Sequence, residues 1–258
     1  MRESGKDRAF RVHLRLPVLS AYCPRIDRAN MPKPDPTQAR AAPAKSPQAS
    51  PKIERIARFA AARFEKSVVE YAGCPPESGA EIAFVGRSNA GKSSTINRFV
   101  GQTRLAYASK LPGRTRELNF FTLRGGGYLV DLPGYGFAKT PRDKQRVWIG
   151  VIEEYLRHRD ALKSIVIVSD IRHAPHALDL EFIDWINQLP TDARPRPQIL
   201  WLLNKADKLT QSERMRAENT LRQEASEYLT DADSVVLFSA SSGLGMKFCD
   251  SFFGTVDA

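Results

Sequence analysis

Residues 86–93 read Gly86-Arg87-Ser88-Asn89-Ala90-Gly91-Lys92-Ser93, a G-x-x-x-x-G-K-S spacing. Glycines let bare backbone N–H groups close around a polyphosphate, and a helix opening just after them turns its N-terminal donors and dipole toward the same anion. In that arrangement Lys92 reaches the β- and γ-phosphates and the Ser93 hydroxyl ligates Mg²⁺. The flanks suit this chemistry. Ile82-Ala83-Phe84-Val85 is an apolar strand run, and Ser94-Thr95-Ile96-Asn97-Arg98-Phe99-Val100 continues as a helix. A nucleoside triphosphate is the expected ligand.

Two later segments choose the base, and both follow apolar runs that read as strands. Asn204-Lys205-Ala206-Asp207 comes after Leu200-Trp201-Leu202-Leu203. A carboxylate edge-on to guanine accepts from both its ring N–H and its exocyclic amine, whereas adenine presents an acceptor and no amine there. Asp207 therefore selects guanine, Lys205 lies along the base with its aliphatic stem, and Asn204 ties this loop to the phosphate loop. Phe238-Ser239-Ala240-Ser241 adds a backbone donor to the guanine carbonyl oxygen. Between these boxes stands Asp131-Leu132-Pro133-Gly134, where Asp131 can hold Mg²⁺ through water and the Gly134 N–H can meet a γ-phosphate unobstructed. Upstream, Thr115 in Pro112-Gly113-Arg114-Thr115-Arg116 completes the Mg²⁺ coordination only when the γ-phosphate is present.

These residues need a sheet to hold them. Six strands are expected: around Ile82–Val85, Asn119–Leu123, Tyr128–Val130, Ile165–Ser169, Ile199–Leu203 and Val235–Phe238. The second and third form a hairpin through Gly125-Gly126-Gly127, and the remainder alternates with helices. The helices run from Thr140-Pro141 to about His158, from Leu178 to Leu189, from a Thr210–Glu213 capping box to about Leu229, and from Gly243 to Phe253. The result is an α/β fold, a mostly parallel six-stranded sheet with one antiparallel hairpin strand and helices on both faces. Ile53, Ile56, Phe59, Ala60 and Phe64 have helical spacing and predict a short amphipathic lead-in, with Ser67–Tyr71 a further candidate edge strand.

The chain has 258 residues and a formal charge of +10. Residues 1–50 carry net +6 of it, in a Pro/Ala/Arg-rich stretch without period, so residues 1–52 are expected to be a disordered basic extension and 53–258 the folded domain. Met31 opens a Pro/Lys-rich leader and is an alternative start. No apolar run approaches the roughly 20 residues of a membrane helix, and Cys23, Cys74 and Cys249 show no zinc or disulfide spacing. A cytoplasmic monomer without membrane contact is expected. His158, His173 and His176 also lack ligand spacing and read as surface or capping residues.

The boxes in this order resemble the translation-factor class of GTPases, within it the TrmE-Era-EngA group, and most closely the EngB (YihA/YsxC) family. The resemblance covers about Phe64 to Phe253. It is carried by Gly86 through Ser94, Leu111-Pro112-Gly113-Arg114-Thr115, Asn119-Phe120-Phe121, Asp131 through Ala138 and Asp170-Ile171-Arg172-His173. It implies one Ras-like P-loop GTPase domain that binds GTP/GDP with Mg²⁺ and acts in maturation of the large ribosomal subunit. A subunit precursor and its rRNA would be the partners. Arg104, Lys110, Arg114 and Arg116 lie in a first expected mobile loop, Lys139, Arg142, Lys144 and Arg146 follow a second, and their phosphate contacts would make RNA binding depend on nucleotide and salt. Asn89 matches the asparagine that in this group helps coordinate K⁺ beside the phosphates. Tyr135 stands where many Ras-like proteins carry a water-orienting glutamine, which implies slow intrinsic hydrolysis.

Two other readings compete. One is a nucleotide-gated RNA- or protein-binding module, in cell division or stress control for example, with incidental hydrolysis. The other is a small-molecule kinase, which would not need Asn204-Lys205-x-Asp207.

Overall fold

This computed structural model describes residues 55–106, 117–135, 142–190 and 195–255, and for 142–149 the backbone alone. The strands are β1 (Arg63–Val68), β2 (Glu81–Gly86), β3 (Leu118–Thr122), β4 (Tyr128–Asp131), β5 (Leu162–Asp170), β6 (Gln198–Asn204) and β7 (Ser234–Leu237). They form one sheet in the order β1-β3-β4-β2-β5-β6-β7. Only β3 runs against its neighbours, pairing antiparallel with both β1 and β4. The hairpin strand is thus as expected, and the sheet has seven strands rather than six.

The extra strand is the candidate edge strand moved toward the N-terminus, and the expected lead-in helix does not form. Of the residues that carry the helical spacing, Ile56 and Phe59 are buried in the core, whereas Phe64 is exposed and Ile53 lies outside the described residues. The backbone, however, makes only a 3-10 turn at Ala57–Phe59 and then extends at Arg63. Pairing with β3 satisfies the open edge of the hairpin, a gain no isolated amphipathic turn offers. The strand takes in Ser67 and Val68 of the expected Ser67–Tyr71 edge strand but starts four residues earlier, and Tyr71–Gly73 is another 3-10 turn.

Helices cover both faces. α1 (Lys92–Val100) and α5 (Met246–Thr255) pack Ile96, Phe99 and Phe253 against Ile82, Phe84, Val166 and Leu202. α2 (Arg142–His158), α3 (Ala177–Gln188) and α4 (Gln211–Glu224) pack Tyr155, Ile183 and Leu221 with Val85, Ile167 and Trp201 on the other face. Successive strand side chains alternate between these two layers, as the period of 2 requires. Val151 and Tyr155 face inward as the sequence predicts. The Thr140–Pro141 start of α2 and the inward role of Val147 lie outside the described residues and side chains. The Thr210–Glu213 capping box forms, although α4 ends at Glu224, five residues before Leu229.

At the N-terminal end of the strands, Glu81 is fully buried and accepts from Arg159 at 2.6 and 2.9 Å and from the Tyr155 hydroxyl at 2.9 Å. This fastens the end of α2 to the start of β2. At the opposite, C-terminal end of β2, β4, β5 and β6, four segments of chemical interest come together, where sheets of this kind bind ligands.

Candidate nucleotide site

The phosphate loop leaves β2 at Gly86, where a Cβ would stand 2.3 Å from the Val168 carbonyl oxygen of β5. Asn89 and Gly91 take left-handed backbone conformations, at φ 66° and 102°, and turn the chain into α1 at Lys92. The first N–H groups of a helix have no intrahelical acceptor, so this turn presents donors. Lys92 and Ser93 are partly exposed in it and Ser94 is exposed.

Asn204 and Lys205 tie the base loop to this turn. Asn204 is buried, donates from Nδ2 to the Ala90 carbonyl at 2.8 Å and accepts from the Ala240 N–H at 3.2 Å. One side chain therefore spans three of the expected boxes, and Gly91 must be glycine because a Cβ would lie 2.2 Å from that Nδ2. Lys205 has a left-handed backbone, φ 65°, and donates to the Asn89 carbonyl at 2.7 Å and to Asp170 at 2.9 Å. Ala206 N–H donates to the Phe238 carbonyl at 3.0 Å, joining the loops after β6 and β7.

Asp207, the expected guanine reader, is partly exposed and accepts from the buried Ser239 hydroxyl at 2.6 Å. That hydrogen bond, with further help from Lys208, holds its carboxyl below the usual range and keeps it ionised as an acceptor.

Lys92 and Asp131 meet in a largely buried ion pair, which brings together the phosphate lysine and the expected Mg²⁺-side carboxylate. Leu132 and Pro133 are buried, and Leu132 N–H donates to the Phe84 carbonyl at 2.9 Å. Gly134 is partly exposed, and the Tyr135 N–H donates to the Gly86 carbonyl at 3.3 Å. Gly113, Arg114 and Thr115 lie outside the described residues.

Tyr135 turns inward. Its hydroxyl donates to Asp179 of α3 and its ring stacks on Phe182 at 5.3 Å between centroids. Burial first, and then Asp179, pushes the phenol well above its ordinary pKa. His176 caps α3 by accepting from the Leu178 N–H at 3.2 Å, the capping role expected of it.

Asp170 belongs to the site without having been given a role from sequence. Burial alone would raise its carboxyl, but hydrogen bonds from Arg172 and Lys205 outweigh this and hold it well below the usual range. Its signal was its place directly after the apolar β5 run, the same place Asp131 and Asn204 occupy on their strands. A cleft of about 230 Å³ lies beside the phosphate loop, bordered by Arg87, Ser88, Asp170, Arg172, His176 and Asp179.

Residues 81–205 match the family described as a 50S ribosome-binding GTPase. A protein of Aromatoleum aromaticum named "Probable GTP-binding protein EngB" is 48% identical over 189 residues, covering 73% of this chain and 84% of that one. This chain belongs to the EngB family of GTP-binding proteins. Among solved structures, one titled as a probable GTP-binding protein engB has a TM-score of 0.53 at 23% identity, covering 69% of this chain and 98% of the other. Era in complex with MgGDPNP and nucleotides of 16S ribosomal RNA has a TM-score of 0.51 at 20% identity, covering 69% and 56%. These two likenesses concern the fold, which is that of a Ras-like P-loop GTPase. As an EngB-family member the chain binds GTP and GDP and hydrolyses GTP. Among the described residues no helix is long and apolar enough to cross a membrane.

Proposed function

We propose that this EngB-family chain is a GTP-driven switch in assembly of the large ribosomal subunit, a cytoplasmic monomer whose GTP form docks on the rRNA of a subunit precursor. The observation that carries the switch is the wiring of Asn204 and Lys205, which joins the base loop to the phosphate loop through two backbone carbonyls. The printed description of the matching family supports the ribosomal partner. The basic residues between Arg104 and Arg146 support contact with RNA phosphates.

In this reading Asp207 accepts from guanine, the stem of Lys205 lies along the base, and the Ser239–Ala240 segment donates to its carbonyl oxygen. Gly86 through Ser94 cradle the phosphates, with the Lys92 ammonium on the β/γ oxygens and the Gly134 N–H on the γ-phosphate. The Ser93 hydroxyl and the Asp131 carboxylate are oxygen donors of the kind Mg²⁺ takes alongside nucleotide phosphates, and Thr115 would join them. No cluster of three or more acidic, His or Cys side chains forms a cage among the described residues, which suits an ion shared with a nucleotide. Mg²⁺ would neutralise charge developing on the phosphate oxygens. Asn89 is exposed, and its side-chain oxygen is the one offered to K⁺, because its backbone carbonyl accepts from Lys205. Tyr135 is held in the core, so the residue after Gly134 does not orient water. Intrinsic hydrolysis is accordingly slow, with K⁺ and ribosomal particles supplying the stimulation.

The test is co-sedimentation with large ribosomal subunits in GDP, in a non-hydrolysable GTP analogue and without nucleotide, across several salt concentrations. Pelleting with the analogue alone, weakening as salt rises, is the expected result. Equal pelleting in all three states, or none in any, would remove the assembly-switch reading and leave the GTPase.

A further inference from the structure

We propose that Tyr135 is a positioning residue for the triphosphate: tied to Asp179, it holds Gly134 where a γ-phosphate meets its N–H. The inference rests on the γ-phosphate role proposed above for Gly134.

Tyr135 is anchored from both ends. Its backbone N–H donates to the Gly86 carbonyl at the start of the phosphate loop, and its hydroxyl donates to Asp179 on α3. Between these ties the ring is pinned by stacking on Phe182. Gly134 is the residue next to this double anchor, so its freedom to move away from the phosphate loop depends on it. The rest of the β4–α2 connection before Gly134 is bound by the Leu132 N–H to Phe84.

Asp179 makes the tie strong. It is 1% exposed, and among the described residues no Lys or Arg pairs with it. Its charge is supported by three neutral donors: the Tyr135 hydroxyl, the Ser169 hydroxyl at 3.0 Å and the His176 N–H at 3.3 Å. Ser169 is held in turn by the Trp201 indole N–H at 2.9 Å. A buried carboxylate carried by so few donors cannot give one up without a large desolvation cost, so the phenol stays bound. A diphosphate presents nothing to Gly134, and the tie therefore matters for GTP and not for GDP.

The experiment measures affinities for GDP and a non-hydrolysable GTP analogue in the full chain. Tyr135→Phe should lower analogue affinity about tenfold and leave GDP within about twofold, since a tenfold change corresponds to one hydrogen bond of this kind. Asp179→Asn keeps an acceptor for the phenol and should stay near the wild-type ratio. The double variant Tyr135→Phe/Asp179→Asn removes the buried charge along with the tie. It should recover melting temperature without recovering the ratio, a separation that a merely structural role does not produce. A wild-type ratio in Tyr135→Phe, or a ratio restored together with stability in the double variant, would overturn the proposal. Gly134→Ala distinguishes the levels: if it lowers analogue affinity while Tyr135→Phe does not, the tie alone fails. If neither variant changes the ratio, the γ-phosphate role of Gly134 fails first.

Discussion

Two buried tyrosine–carboxylate pairs lie in the same core layer at opposite ends of the strands, and they balance their charge differently. Glu81 receives the Tyr155 hydroxyl and a forked Arg159 guanidinium. Asp179 receives the Tyr135 hydroxyl and only neutral donors besides. The first pair is neutralised within itself and fastens α2 to β2 regardless of what binds elsewhere. The second depends on a residue beside the nucleotide site, so its energy is linked to that site. One fold thus uses the same two side-chain types as a fixed bolt and as a responsive one.

The largest expected effect comes from breaking the bolt. Arg159→Met leaves Glu81 buried and unpaired and should cost about 3–5 kcal/mol in chemical denaturation, with the GTP-to-GDP affinity ratio of the folded fraction unchanged. A matched removal of charge sharpens the contrast. Glu81→Gln should cost about 3 kcal/mol because it breaks an ion pair, and Asp179→Asn about 1 kcal/mol because it discards a charge held by neutral donors alone. Equal costs would mean the two pairs are built alike.

A smaller effect belongs to the guanine end. Asp170 holds Lys205 against the phosphate loop, so Asp170→Ala should speed GDP release about fivefold, the worth of one charge-assisted hydrogen bond at a part-exposed site. On the proposed role of Asp207 as guanine reader, guanine preference should not change; stopped-flow release of a fluorescent GDP with xanthine and adenine competitors reads both quantities.

The smallest effect is a dependence on acid. The Asp170 and Asp207 carboxyls lie below their ordinary range in the folded chain. Their stabilisation is complete above the ordinary value of about 3.9 and is lost as pH falls through the lower folded values. Burial raises the Glu81 carboxyl despite Arg159, so its contribution has the opposite sign, present at low pH and lost as pH rises through the folded value. The fall in melting temperature below about pH 4 should therefore come from the guanine end and become shallower in Asp170→Asn. An unchanged slope would assign it elsewhere.

Much of the site was legible in the sequence because its chemistry demands particular atoms at fixed chain spacing. Glycine at 91, lysine at 92 and the Asn204–Asp207 box are dictated by backbone approach, charge and hydrogen-bond pattern, and Asn204 makes the link to the phosphate loop expected of it. Tyr135 was legible only as the absence of a glutamine. Its partner is 44 residues away on α3, and no local pattern connects them. Asp179 reads locally as an ordinary first-turn carboxylate of a helix, which it also is. Likewise the spacing from Ile53 to Phe64 reports burial at Ile56 and Phe59 but not at Phe64, which is exposed, and it reports conformation wrongly, since the open edge of β3 decided the latter.

By itself, then, the sequence determined the nucleotide class, the alternating layers and the strand ends that carry the boxes, because periodicity and motif spacing act over a few residues. Tertiary structure alone decided that Lys92 pairs with Asp131, that Asp170 braces Lys205 and that Tyr135 points into the core. Each is a contact between segments 35 to 44 residues apart, made only when parallel strands bring their ends to one edge of the sheet.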